Sequence, residues 1–283
     1  MKARLKLGNI EIIWLNGGSF ELDGGAMFGV VPKILWKKKY PCDEDNFIPI
    51  AAWPMLIKTP EQNLLIETGL GNKLTDKQKK IFRIKNDWDI ISDLRELGIK
   101  REDIGTVILT HYDFDHAGGV IMQDEKGELS LTFPNAEHIL QAREWADVLS
   151  PNLRSENTFW PVNNELLRNS ANLKLIEEDY KVQKGVDLFF SGAHNRGHQV
   201  VRIESQGEVA YHLGDLLPTH THFNPLWIMA YDNYPLEVIE QKELFEGKAL
   251  KENAWFLLYH DPFMPACKFD ADGNVTEKVS VEG

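Results

Sequence analysis

Cysteine is nearly absent: Cys42 and Cys267 are all that 283 residues offer, so no disulfide framework holds the chain and a reducing compartment suits it. Basic charge is also scarce. The 31 Lys and Arg against 43 Asp and Glu leave a net charge of -12, which repels phosphate backbones and argues against a nucleic-acid partner. No apolar run approaches the roughly 18 residues that a membrane span requires. Arg4, Lys6 and Glu11 interrupt the N-terminal stretch where a secretory signal needs apolar residues. Gly/Ser linkers, low-complexity tracts and internal repeats are missing as well. The expectation is one cytoplasmic domain over residues 1–283, with no membrane partner and, at 43% hydrophobic, enough apolar side chain for a large core.

What the chain does contain is a succession of short apolar runs bounded by turn residues. Residues 10–15, 20–22 and 63–67 read as strands. Ile90, Ile91, Leu94 and Leu97 recur at helical spacing, stop at Gly98 and have Asp87 or Asp89 available as a cap, which predicts an amphipathic helix. Further helices are predicted at 144–149 and at 236–250, the second with Pro235 beside its start. Segments 24–49 and 216–235 exceed ordinary connection lengths and are expected to shape a pocket.

The most informative regularity is where strands stop. Residues 106–110 run into His111, 186–190 into Ser191-Gly192-Ala193-His194, 209–213 into Gly214-Asp215, and 255–259 into His260-Asp261. Loops at strand ends of an α/β sheet form the crevice where ligands bind, because a rigid sheet can aim several side chains at one point. The first of these loops, His111-Tyr112-Asp113-Phe114-Asp115-His116-Ala117-Gly118-Gly119, crowds metal-competent side chains together, and its glycines let backbone pass close by. A solvated polar loop is the plain alternative for such a segment.

This segment resembles the H-x-H-x-D-H signature of the metallo-β-lactamase superfamily, and its surroundings are similar to the lactonase-like branch that includes N-acyl homoserine lactonases. Gly24-Gly25-Ala26-Met27-Phe28-Gly29, Glu67-Thr68-Gly69, Ser191 to His198, Gly214-Asp215 and His260 follow in the order that branch requires, so the resemblance covers residues 10–262. It implies an αββα sandwich and a site for two divalent metal ions, with zinc as the first expectation. Position by position, it places one ion on His111 and His194, the other on Asp115, His116 and His260, and Asp215 between them. It further implies hydrolysis of a small ester, lactone or related acyl substrate by a metal-bound hydroxide, with Asp115 holding or relaying the proton.

The chain departs from that pattern at two places. Asp113 stands where the family has its second His; a carboxylate also binds zinc, and two His with one carboxylate also suits iron or manganese. The added negative charge is expected to make a bound water less acidic and to raise the working pH. Glu67 replaces the Asp of D-T-G, where a carboxylate orients a ligating imidazole. Its alternative is a solvent-facing residue at a strand end.

His198 is expected behind the site, and His138 and His212 as packed structural residues. In Pro218-Thr219-His220-Thr221-His222, His222 matches a His of the same branch and is expected to touch substrate or carry a proton, a polar loop without a role being the alternative. Of Met27, Phe28, Val30, Trp36, Trp145, Phe159, Trp160 and Trp227, two or three are expected to line the pocket. Competing readings are an iron-dependent redox enzyme, suggested by Asp113, and a binding protein that kept the fold without its chemistry. An apolar face on segment 24–49 would suit a homodimer.

Overall fold

Successive strand residues point to opposite faces, and here both faces are apolar. Ile12 and Ile13 in Ile10–Trp14, Leu64 and Leu65 in Asn63–Ile66, and Val107 and Ile108 in Ile104–Ile108 are adjacent pairs, fully buried on opposite sides. Val200 and Val201, then Phe256 and Leu257, repeat the arrangement later in the chain. Sheets of this kind must be covered twice, once by each other and once by helices.

The computed structural model describes residues 2–281; Met1, Glu282 and Gly283, at the ends of the expected unit, lie outside the described residues. One seven-stranded sheet runs in the order Arg4–Leu7, Ile10–Trp14, Met55–Lys58, Asn63–Ile66, Ile104–Ile108, Glu137–Gln141, Leu173–Ile176. A second seven-stranded sheet follows chain order from Tyr180–Gln183 to Val275–Val279. Ile12, Leu64, Ile108, Val201 and Leu257 meet in the core between the sheets. Ile13, Leu65 and Val107 pack outward on Ile90, Leu94, Trp145 and Val148 of two helices, Ile90–Glu96 and Ala142–Leu149. Val200 and Phe256 pack on Val238, Phe245 and Ala249 of the helix Pro235–Lys251. The result is the expected αββα layering.

The predicted helices form within two residues of their expected bounds, and Asp89 is the cap, accepting the Ser92 N–H. Segment 24–49 is more ordered than expected: short helices Gly24–Phe28 and Lys33–Trp36 connect the antiparallel strands Ser19–Asp23 and Phe47–Ala51. Met27, Phe28, Trp36, Tyr40 and Met229 form a fourth core over one end of the sandwich. Among the described residues no helix is long and apolar enough to cross a membrane.

Two parallel pairings position the site. Asn63–Ile66 pairs in parallel with Ile104–Ile108, Ile66 opposite Ile108, so Glu67 and the loop leading to His111 leave the first sheet side by side. Glu208–His212 pairs in parallel with Trp255–Leu257, Tyr211 opposite Phe256, which does the same for Asp215 and His260 in the second sheet.

Candidate metal centre

All four strand-end loops meet at one point. After Ile104–Ile108 the chain makes a single helical turn, Phe114–Ala117, with Asp113 at its N-cap position, so Asp115 and His116 follow Asp113 around a tight curve. The glycines after it are required by space: a Cβ on Gly118 would lie 2.3 Å from the Leu70 carbonyl oxygen, and one on Gly119 2.2 Å from that of Thr68. Gly214, with φ of +53, leaves room for His198, whose Nε2 would stand 2.4 Å from an added Cβ.

The side chains gather into two groups. Ligand atoms of His111, Asp113 and His194 lie within 4.8 Å of one another, and so do those of Asp115, His116 and His260. Asp215 spans them: Oδ1 is 3.3 Å from Nε2 of both His116 and His260, and Oδ2 is 3.5 Å from Nε2 of His194. Asp113 Oδ2 sits 3.5 Å from His111 Nε2 and 3.6 Å from His194 Nε2, inside the first group and not outside it.

Each imidazole is anchored from behind. Nδ1 of His260 faces the Ala51 carbonyl at 2.8 Å, Nδ1 of His194 faces Asp232 Oδ1 at 2.8 Å, and Nδ1 of His116 lies 3.4 Å from Glu67 Oε1. Nδ1 of His111 meets the Thr110 hydroxyl at 3.0 Å, and that hydroxyl donates to Glu67. With Nδ1 of His111, His194 and His260 donating to oxygen, their Nε2 atoms turn lone pairs inward, and Nε2 of His116 and His260 face each other at 3.1 Å. His111 Nε2, His194 Nε2 and Asp215 Oδ1 are buried without a hydrogen-bond partner. Orphaned buried acceptors aimed at a common point cost stability, and a cation satisfies all of them at once. The donor set therefore fits divalent cations.

The electrostatics agree. Burial opposes charge throughout, yet His116 and His212 hold Glu67 below the carboxylate range, His111 and His194 hold Asp113 there, and His116 and His260 hold Asp215 there. The same carboxylates outweigh desolvation at His116 and His194 and push their imidazoles well up. The field at the centre favours positive charge. Glu67 also lies within ligand range of His111 and His116, but it faces the Nδ1 side of His116, so it orients the ring from behind.

A family model described as the metallo-beta-lactamase superfamily matches residues 49–254. The chain belongs to this superfamily. An N-acyl homoserine lactonase of Bacillus cereus is 27% identical over 171 residues, 57% of this chain and 61% of that enzyme, so the match spans less than two thirds of that relative's length. A solved structure described as a probable metal-dependent hydrolase from Staphylococcus aureus superposes with a TM-score of 0.93 at 41% identity, covering 99% of each chain. AidC, described as a dizinc quorum-quenching lactonase, superposes with a TM-score of 0.79 at 20% identity over 100% of this chain and 98% of that one, a likeness of fold.

Within this metallo-beta-lactamase fold, His222 requires a correction. It is buried, its Nδ1 meets the Thr219 hydroxyl at 2.7 Å, its Nε2 meets the Met27 carbonyl at 2.8 Å, and its ring stacks on Phe28. Burial also pushes its pKa down to about 3, and both nitrogens are engaged by protein groups. His222 ties the loop to the helix Gly24–Phe28 and does not face the cavity. His198 lies behind the site as expected: Nε2 accepts the Asp215 N–H at 3.1 Å and Nδ1 meets the Ser191 hydroxyl at 2.7 Å. His138 and His212 are buried in the sheets, and Glu67 is fully buried, which removes its solvent-facing alternative.

A cavity of about 360 Å³ opens onto the centre. Of the eight apolar residues considered from sequence, Met27 alone lines it, fewer than expected. Phe28, Trp36, Trp145 and Phe159 are core, and Val30 is 84% exposed. Leu22, Phe82, Phe114, Met229 and Tyr231 supply the rest of the apolar wall.

Two supporting carboxylates escaped sequence reasoning. Asp232 holds His194 with one oxygen and accepts the Met229 N–H at 2.7 Å with the other. Glu144 accepts the Tyr112 N–H at 2.9 Å, the Asn195 side-chain amide at 3.0 Å and the Gly197 N–H at 3.2 Å, tying the loop of His111 and Asp113 to the loop of His194. Nothing local in the sequence distinguishes it from a helix-start acid.

Proposed function

We propose that this chain is a dinuclear metal-dependent hydrolase of a small ester, lactone or related acyl compound. His111, Asp113 and His194 hold one divalent cation, Asp115, His116 and His260 hold the other, and Asp215 lies between them. The observation that carries the reading is the convergence of four imidazole Nε2 atoms, those of His111 and His194 unpaired and those of His116 and His260 facing each other, with carboxylates beneath the cavity. Bound there, two cations supply Lewis acidity that lowers the pKa of water and polarises an acyl carbonyl. The chain's own groups do the rest: the apolar wall excludes bulk water around the acyl part, and Asp115 holds the proton that water releases and passes it to the leaving oxygen as the acyl C–O bond breaks.

Zinc is the first expectation for the cations, and Asp113 makes iron or manganese its competitors, since its carboxylate hardens the first group. The Bacillus relative carries the name N-acyl homoserine lactonase, so a lactone of that class is the first substrate to test. A reducing, cytoplasmic setting belongs to the same reading, with Cys42 and Cys267 both free. So does a homodimer through segment 24–49, where Val30, Ile34 and Leu35 are exposed, which sedimentation would check.

Elemental analysis of the purified protein beside an Asp113→Ala variant tests the centre. About two zinc or manganese ions per chain in the native protein, and about one in the variant, is the expected result. Iron in their place favours the oxygen-dependent redox reading, which the carboxylate of Asp113 motivates. Failure of the reconstituted protein to bind any metal would overturn the hydrolase and leave a binding protein on the same fold.

A further inference from the structure

The cavity lining divides by chemistry. Its floor carries Asp113, Asp115, Asp215, His194 and His260, its apolar part carries residues such as Met27, Phe114 and Met229, and its remaining part is polar. Among the described residues that line it, Arg154 is the only cation apart from the imidazoles.

Arg154 stands out in a chain this acidic. Arg4, Arg83, Arg101, Arg143, Arg196 and Arg202 each meet a carboxylate. Among the described residues Arg95, Arg154 and Arg168 meet none, and of these three Arg154 alone lines the cavity. Its guanidinium donates instead to two main-chain oxygens, from Nη2 to Ala230 at 2.6 Å and from Nη1 to Asp232 at 3.3 Å. The turn that carries it is also fixed, because Asn152 Oδ1 accepts the N–H of Arg154 at 2.9 Å and of Ser155 at 3.0 Å. A guanidinium has five N–H donors in a planar fork, so two carbonyls orient it and leave donors over. Side chains of Asn157, Thr158 and Asn233 line the cavity as well and add neutral polar groups.

We infer that Arg154 is a specificity-determining residue that receives a carboxylate, and that the acyl substrate is an anion: an ester or lactone whose acyl chain ends in a carboxyl group. The inference rests on the hydrolase reading above. The charge balance of the cavity supports it, since bound divalent cations would match the acidic floor, while Arg154, exposed at the cavity and held only by two main-chain oxygens, would remain as a positive group without a carboxylate. A carboxylate across the cavity from the scissile carbonyl fills that place with two parallel hydrogen bonds, the geometry for which arginine is suited and lysine is not.

Matched probes separate the possibilities. The zinc-loaded protein is assayed on 4-nitrophenyl pentanoate and mono-4-nitrophenyl glutarate, and on the homoserine lactones of hexanoic and adipic acid; each pair differs by a terminal carboxylate. The native protein is expected to favour the anionic member in kcat/KM. Arg154→Met should lower the anionic-to-neutral ratio of kcat/KM about tenfold to a hundredfold, mainly through a higher KM for the anionic member. Arg154→Lys should recover part of that loss. If Arg154 served only to hold the 230–232 backbone, and through Asp232 the His194 ring, Arg154→Met would lower kcat equally on both members, and that result overturns the inference. Turnover of the neutral members without preference for the anionic ones overturns it too while leaving the hydrolase intact. No turnover of any of the four by metal-loaded protein overturns the hydrolase reading and this one with it.

Discussion

Glu144→Ala is the perturbation whose cost follows most directly from the structure. The carboxylate is completely buried and accepts hydrogen bonds from Tyr112, Asn195 and Gly197. Deleting it leaves three buried donors unpaired at about 1–3 kcal/mol each. They share one space and cannot be summed independently, so about 3–5 kcal/mol is the expected loss. A domain with about 5–15 kcal/mol of stability survives that loss but unfolds at clearly lower urea. Glu144→Gln is milder, because its carbonyl keeps two of the donors while its NH2 confronts the third, for about 1–3 kcal/mol. The damage should also be local. Tyr112 lies between His111 and Asp113, and Asn195 follows His194, so the cation at that group should bind about 10–100-fold more weakly while the cation on Asp115, His116 and His260 is little changed. Urea unfolding combined with a competitive zinc titration reads both effects. An unchanged urea midpoint in Glu144→Ala, or equal weakening of both cations, would refute the reasoning.

Two more outcomes are expected elsewhere. Lys242 is buried in the helix Pro235–Lys251, with its ammonium donating to the carbonyls of His222, Asn224 and Trp227; Lys242→Met orphans all three and should cost about 2–4 kcal/mol in chemical denaturation, so a loss within error of zero would count against it. Burial pushes Glu246 up to about 8, so the folded state keeps a proton that the unfolded state releases near its ordinary value of 4.5. Its contribution is then fully present below about pH 4.5 and is lost as pH rises towards about 8. Glu246→Gln, which cannot titrate, should gain on the native protein in urea midpoint between those limits, whereas parallel pH profiles would contradict the assignment.

The layering was legible through the family resemblance, and the strands supply its physical reason. Adjacent buried pairs such as Ile12 and Ile13, or Val107 and Ile108, can be satisfied only by a sheet covered on both sides. The site was legible where a single segment carries its residues, as in His111 to His116, and where a polar residue breaks a strand end, as at His194, Asp215 and His260. What escaped depends on tertiary neighbours. Glu144 and Lys242 have the local context of ordinary helix-surface residues, and only the approach of the Gly197 loop to one and of the His222–Trp227 carbonyls to the other buries them. His222 was misread for the same reason. A match by position placed it near substrate, but its ring faces Phe28 and the Met27 carbonyl, partners that lie far away along the chain. The cavity wall was hard to read because an apolar residue lining a pocket and one filling a core obey the same pattern.

Asp113 is where the sequence departs from its family and where the structure is most instructive. Loss of function through drift would leave the neighbours of a substituted ligand relaxed and the new side chain turned to solvent. Here Asp113 stays within 3.6 Å of both His111 Nε2 and His194 Nε2, the latter two still anchored through Nδ1 by Thr110 and Asp232. Maintaining that arrangement is costly in isolation, because it gathers three carboxylates and unpaired imidazole nitrogens where water has little access. Divalent cations would offset that cost, and a centre with an extra carboxylate would suit a harder one. The substitution therefore supports a retuned centre more than an abandoned one.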